Sequence, residues 1–207
     1  MSVNAKTQDL LDEGRFSKIK GWMHFKRVYE MAVERVCRGD KAHFVEIGAW
    51  KGKSSFYMGA LIAGSGKDIK FDVIDNWLGD ASSLNKQQTD PDVLAGTLID
   101  TFKKNTELVK DSINEIISGD SSLQADRYED ESLDFVWIDG DHTYEGCLKD
   151  IEAFYPKVKV GGVIGGDDYS KKSVRQAVHE KFESVQTFCE SKVPVWRIVK
   201  GKKPYDN

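Results

Sequence analysis

Through residues 22–36 the apolar positions Trp22, Phe25, Tyr29, Ala32, Val33 and Val36 recur at spacings of three and four. That period matches one face of a helix and predicts a stripe packed on a larger body. After Arg38-Gly39-Asp40 the period collapses into a short continuous apolar run at 44–47, which predicts a buried strand. A loop bearing Gly48 and Gly52 follows, and a helix is predicted from near Ser54. Residues 69–74 predict a second strand that ends in Asp75-Asn76-Trp77. Residues 78–92 are polar and without period, either a loose connection or a lid that orders over substrate. Helical spacing returns over 93–108 through Leu94, Leu98 and Phe102, and 114–118 predict a third strand running into the turn Gly119-Asp120-Ser121-Ser122.

Residues 133–139 predict a fourth strand, and Cys147, Leu148, Ile151, Phe154 and Tyr155 form one apolar helical face after it. Gly161-Gly162 turns the chain into a fifth strand ending at Asp167-Asp168. A helix over 173–182 and an antiparallel pair, 185–189 with 195–199, complete the pattern. Strands alternating with helices define an α/β fold: a Rossmann-like, doubly wound, mostly parallel seven-stranded sheet closed by a C-terminal antiparallel hairpin strand. The expected organisation is a single domain, with residues 1–40 a helical segment packed on the body formed by 41–207.

Composition narrows the partners. With 40% hydrophobic and 31% charged residues and no apolar run near the ~20 residues a bilayer span needs, the chain reads as soluble. No secretory signal is visible, and three widely spaced cysteines argue against a disulfide framework or zinc cluster, so a cytoplasmic setting is expected. A net charge of −4 with lysines and acids evenly mixed offers no stripe for nucleic acid and no membrane patch. A small-molecule partner is therefore expected, and the amphipathic helix over 22–36 could also serve as a homodimer face.

The candidate chemistry is acidic. If strands four and five are parallel neighbours, Asp139, Asp141, Asp167 and Asp168 gather at one sheet edge, where α/β folds bind their ligands. Asp75 lies 23 positions after Gly52, close to the distance at which an acid meets a ribose in nucleotide-binding βαβ units. Converging carboxylates repel one another, and a divalent cation with hard oxygen ligands, Mg²⁺ above all, would resolve the conflict.

From about His43 to Val199 these parts together resemble a class I S-adenosylmethionine-dependent methyltransferase: E46-I-G-A-W-K-G52 after strand one, Asp75 after strand two, G119-D120-S121 after strand three, the run DFVWIDGDH and the terminal hairpin. Within that family the pattern is similar to the metal-dependent O-methyltransferases, of the catechol type and those acting on sugar hydroxyls of natural products. The resemblance implies Asp139, Asp167 and Asp168 as metal ligands and His142, three residues past Asp139, as general base. It implies a cofactor site made by Glu46, Gly48, Gly52, Asp75, Trp77 on the adenine face, Asp120, Ser121 and the edge at Asp139, with Lys51 and Lys53 turned away or meeting the cofactor's carboxylate. Asp141 would support the site or cap the following helix at Thr143. His24, His43 and His179 read as surface or packing residues. The implied reaction is methyl transfer from S-adenosyl-L-methionine to a hydroxyl of a sugar, polyol or phenol. Three alternatives stay open: a metal-independent methyltransferase acting on nitrogen or carbon, a nicotinamide-dependent oxidoreductase, and a non-catalytic nucleotide-binding module. The glycine loop, G-x-x-x-G rather than G-x-G-x-x-G, counts against the oxidoreductase.

Overall fold

A computed structural model describes residues 4–12, 16–36, 40–79, 88–190 and 192–201. Strands β1 (Lys41–Ile47), β2 (Asp68–Asp75), β3 (Glu115–Ser118), β4 (Leu133–Ile138), β5 (Val158–Gly166), β6 (Gln186–Phe188) and β7 (Val195–Val199) form a single sheet in the order β3-β2-β1-β4-β5-β7-β6. The pairs among β1 to β5 are parallel, and β7 runs antiparallel between β5 and β6. The helices are α1 (Ala5–Asp12), α2 (Lys26–Arg35), α3 (Lys53–Ser65), α4 (Pro91–Leu94), α5 (Leu98–Thr106), α6 (Ser121–Gln124), α7 (Tyr144–Phe154) and α8 (Lys172–Lys181). The Rossmann-like, doubly wound architecture is the one the alternating pattern predicts.

Because successive strand residues face opposite sides, each strand feeds two cores. Phe44, Phe71, Phe135 and Trp137 pack with Phe25, Tyr29 and Met58 beneath α2 and α3. Val45, Ile47, Val136, Ile138 and Ile164 pack with Ile151, Phe154 and Val178 beneath α7 and α8. Near-continuous burial of β1, β2 and β4 is what a parallel sheet covered on both faces demands.

Two expectations needed adjustment. The helix read over 22–36 starts only at Lys26, with Phe25 as its cap, and Trp22 stands 57% exposed. Gly21, at φ +137°, turns the preceding segment towards the sheet edge before the helix begins. The helix read over 93–108 is broken at Gly96 (φ +67°) into α4 and α5, and a 3₁₀ turn over Glu107–Ser112 ends it. The apolar face of α2, with Val28, Tyr29, Ala32 and Val33, is covered by the chain's own core. Of the stretch 78–92, residues 80–87 lie outside the described residues.

Candidate active site

The carboxyl ends of the central strands are stitched together by backbone bonds beyond the regular ladders. Gly48 N–H donates to Ile74 O (2.8 Å), Asp139 N–H to Ile47 O (2.7 Å), Asp167 N–H to Ile138 O (3.1 Å) and Gly119 N–H to Asp75 O (3.0 Å). The acidic residues that follow each strand are thereby held at one edge, around a cavity of about 1030 Å³. Gly48, at φ +84°, passes so close to β4 that a Cβ there would lie 2.1 Å from the Asp139 carbonyl oxygen. Only glycine fits.

Of the sequence-nominated residues, Gly48, Asp75, Asp120, Ser121, Asp139, His142, Asp167 and Asp168 line this cavity. Glu46, Gly52 and Trp77 are not on its wall. Alternation along β1 turns the Glu46 carboxylate into the core, where it accepts from the Tyr29 hydroxyl (2.7 Å) and from Ser55 Oγ. Burial raises its pKa, and these hydroxyl donors partly offset the rise. Gly52 caps α3 at φ +84°, and a Cβ there would lie 2.8 Å from Thr106 Cγ2 and 2.9 Å from Phe102 Cδ2. Trp77 is 8% exposed, its ring lies 5.1 Å from that of Phe102, and its Nε1 donates to Ser118 Oγ (2.8 Å). The ring nominated to stack on adenine is thus a core ring, because a left-handed backbone at Trp77 (φ +60°) swings it inward. Trp50 (φ +50°) and Asp168 (φ +54°) share that conformation, so backbone strain is concentrated around the site.

At the end under β1 and β2, Asp75 is half-buried and desolvation raises its pKa, against which backbone N–H groups act. One of its oxygens accepts from Ala49 N–H (2.7 Å) and Trp50 N–H (2.9 Å), the other from Trp77 N–H (2.7 Å), so Asp75 fixes the glycine loop. Lys51 turns away from the cavity into ion pairs with Asp90 and Asp92, both 2.6 Å. Lys53 stays on the wall. Asp120 caps α6 by accepting from Ser122 N–H (3.0 Å). Asp141 accepts from Thr143 N–H (2.8 Å), and Thr143 in turn caps α7. The supporting role expected of Asp141 matches this geometry.

At the end under β4 and β5 the charges crowd. His142 Nε2 lies 2.9 Å from Asp168 Oδ2 and 3.3 Å from Asp139 Oδ1, and Lys171 Nζ lies 2.8 Å from Asp168. One ligand atom each from Asp139, His142 and Asp168 falls within 4.8 Å of the others. Burial and the neighbouring Asp167 push the Asp139 carboxyl well up, with His142 pulling the other way. Burial also acts to raise Asp168, but the hydrogen bonds from His142 and Lys171 outweigh it and hold that carboxyl well below its usual range. Asp167 is 4% exposed and accepts from its neighbour's backbone N–H at 2.6 Å; His24 Nε2 sits 2.8 Å from the same oxygen. That hydrogen bond is the main cause raising the His24 pKa.

Two residues of this wall escaped the sequence reading. His24 is 143 positions from Asp167, and no local pattern links them. Asp150 had a signal: it falls at i+3 from Cys147, inside the apolar stripe of α7, and it is 2% exposed. A charge on a buried helix face calls for a reason.

The fold and this edge define a class I S-adenosylmethionine-dependent methyltransferase, and a family described as a methyltransferase domain matches residues 45–169. The chain belongs to that family. Among solved structures it is similar to the O-methyltransferase NovP (19% identity over 86% of this chain and 80% of that one, TM-score 0.64). It is also similar to the calicheamicin methyltransferase CalS11 (13%, 97% and 82%, TM-score 0.61) and to an O-methyltransferase from Bacillus cereus in complex with SAH (14%, 97% and 93%, TM-score 0.56). No curated protein matches the sequence significantly. Among the described residues no helix is long and apolar enough to cross a membrane.

Proposed function

We propose that this methyltransferase is an O-methyltransferase that acts on a hydroxyl of a small molecule, a sugar, polyol or phenol, with the help of a divalent cation such as Mg²⁺. The observation that carries the reading is the convergence of Asp139, His142 and Asp168 beside the buried Asp167. The donor set fits such an ion: carboxylate oxygens suit a hard cation, and Asp139 is under electrostatic stress that a cation relieves. Asp139, Asp168 and Asp167 are the proposed ligands, Asp167 on release from His24. When bound, the ion supplies a Lewis acid that lowers the pKa of an acceptor hydroxyl. S-Adenosylmethionine supplies the methyl group.

The protein's own residues do the remaining work. The loop fixed by Asp75 holds the amino-acid end of the cofactor, Gly48 letting the backbone come close. His142 accepts the acceptor's proton as its oxygen attacks, and Asp168 and Asp139 stabilise the imidazolium that forms. Two similar enzymes, NovP and CalS11, the latter a TDP-rhamnose 3'-O-methyltransferase (TM-score 0.53 for its apo form), support oxygen as the methylated atom.

The test is calorimetric titration of S-adenosylhomocysteine into the protein with and without Mg²⁺, followed by a panel of vicinal diols. The expected result is diol binding that needs both cofactor and metal. Turnover that survives chelation would sink the metal assignment and favour a metal-independent enzyme acting on nitrogen or carbon.

A further inference from the structure

The loop at 48–52 is gripped from two directions. From β2, Asp75 accepts from the N–H groups of Ala49 and Trp50. From the helices, Lys51, 5% exposed and turned off the cavity wall, places Nζ 2.6 Å from Asp90 Oδ1 and 2.6 Å from Asp92 Oδ2. Its carbonyl oxygen accepts from Asn105 Nδ2 of α5 (2.8 Å), and Asp90 in turn caps α4 by accepting from Asp92 N–H (3.0 Å). Burial acts to lower the Lys51 pKa, but the bonds to Asp90 and Asp92 outweigh it and raise it, so the clamp is ionic. It closes where the backbone is most strained: Trp50 (φ +50°) precedes Lys51 and Gly52 (φ +84°) follows it. A left-handed non-glycine residue persists only where its surroundings impose it, and a buried lysine needs its counter-charges.

We propose that Lys51 is a positioning residue for the cofactor. By binding Asp90 and Asp92 it holds the 48–52 turn in the shape that receives the amino-acid end of S-adenosylmethionine. Affinity for that end thereby depends on α4, none of whose residues lines the cavity among those described. The inference rests on the reading of this loop as the holder of the amino-acid end and adds the residue that keeps it in shape. Neutralising either half of the clamp leaves the other half's charge without its counter-charge, and the strained turn is free to relax.

The experiment titrates two ligands, S-adenosylhomocysteine and 5′-methylthioadenosine, which keeps the nucleoside and lacks the amino-acid end. The proteins are the full chain, Lys51→Met, the double variant Asp90→Asn/Asp92→Asn, and the three changes combined. Lys51→Met is expected to weaken S-adenosylhomocysteine by about tenfold and to leave 5′-methylthioadenosine close to wild type, a selectivity that a general loss of stability would not produce. The double variant, in which asparagine keeps the α4 cap and removes the charge, is expected to show the same selective loss. The combination is expected to lose no more than the larger of the two, because the three charges act as one unit. If Lys51→Met does not fold, the double variant, altered at partly exposed positions, carries the same comparison. Unchanged binding of S-adenosylhomocysteine by the variants, or equal weakening of both ligands, would overturn the proposal and leave the assignment of the loop intact. Wild type that binds 5′-methylthioadenosine as tightly as S-adenosylhomocysteine would overturn that assignment and the proposal with it.

Discussion

The two ends of the cavity use the same residue, aspartate, at the same sheet edge, and satisfy it in opposite ways. Under β1 and β2, Asp75 takes three backbone N–H donors, which neither titrate nor rearrange without unfolding the loop. Under β4 and β5, Asp139, Asp167 and Asp168 are answered by the side chains of His142, His24 and Lys171, groups that can move, change charge or give way to an ion. The lesson is one of division: fixed dipoles hold what must stay in shape, and ionisable partners stand where protons and charge have to move.

The sharpest way to break this comparison is at the mobile end. His142→Ala is expected to lower kcat by about 10²- to 10⁴-fold while leaving S-adenosylhomocysteine affinity close to wild type, because general-base catalysis contributes on that scale. Steady-state kinetics beside calorimetry would check it, and an equal loss in both would mean that the histidine holds the cofactor end together instead.

A smaller effect is expected from Asp150. A carboxyl raised to about 7 on folding binds more protons in the folded state than in the unfolded state between about pH 4 and pH 7, so its contribution to stability falls as pH rises through that window. Asp150→Asn removes the slope, and relative to wild type it is expected to gain on the order of 3 kcal/mol between pH 4 and pH 8. Denaturant melts of both proteins at the two pH values measure the difference; parallel curves would show that folding does not shift the Asp150 carboxyl.

The smallest effect belongs to Trp77→Phe. The ring contact with Phe102 survives, and the hydrogen bond to Ser118 is lost, at a cost of about 1 kcal/mol. Tm is expected to fall by about 2–4 °C with cofactor affinity unchanged. A specific loss of affinity would return Trp77 to the adenine face.

The fold was legible because parallel strands buried on both faces read as continuous apolar runs, and those runs end in the residues that make the site. Asp139, Asp167, Asp168 and Asp75 were accessible for that reason: Asp75 is the last residue of β2, and each of the others is the first or second residue past its strand. Side-chain direction was less accessible. Glu46 near the end of β1 and Trp77 in the loop after β2 stand at the right edge, yet alternation along β1 and a left-handed backbone at Trp77 send their side chains into the core. His24 was beyond reach because its partner is distant in the chain, whereas Asp150 was marked by the stripe it interrupts.

The order of strands also sets a timetable. β7 follows β5 in the chain but flanks it in the sheet, with Trp196 packed so close to Gly166 that a Cβ there would lie 2.8 Å from its Nε1. During synthesis, at about 5–20 residues per second, the strand that presents Asp167 and Asp168 waits a few seconds with an open edge until β7 arrives. A nascent chain therefore exposes the β5 edge beside Asp167 and Asp168 until β7 has been made.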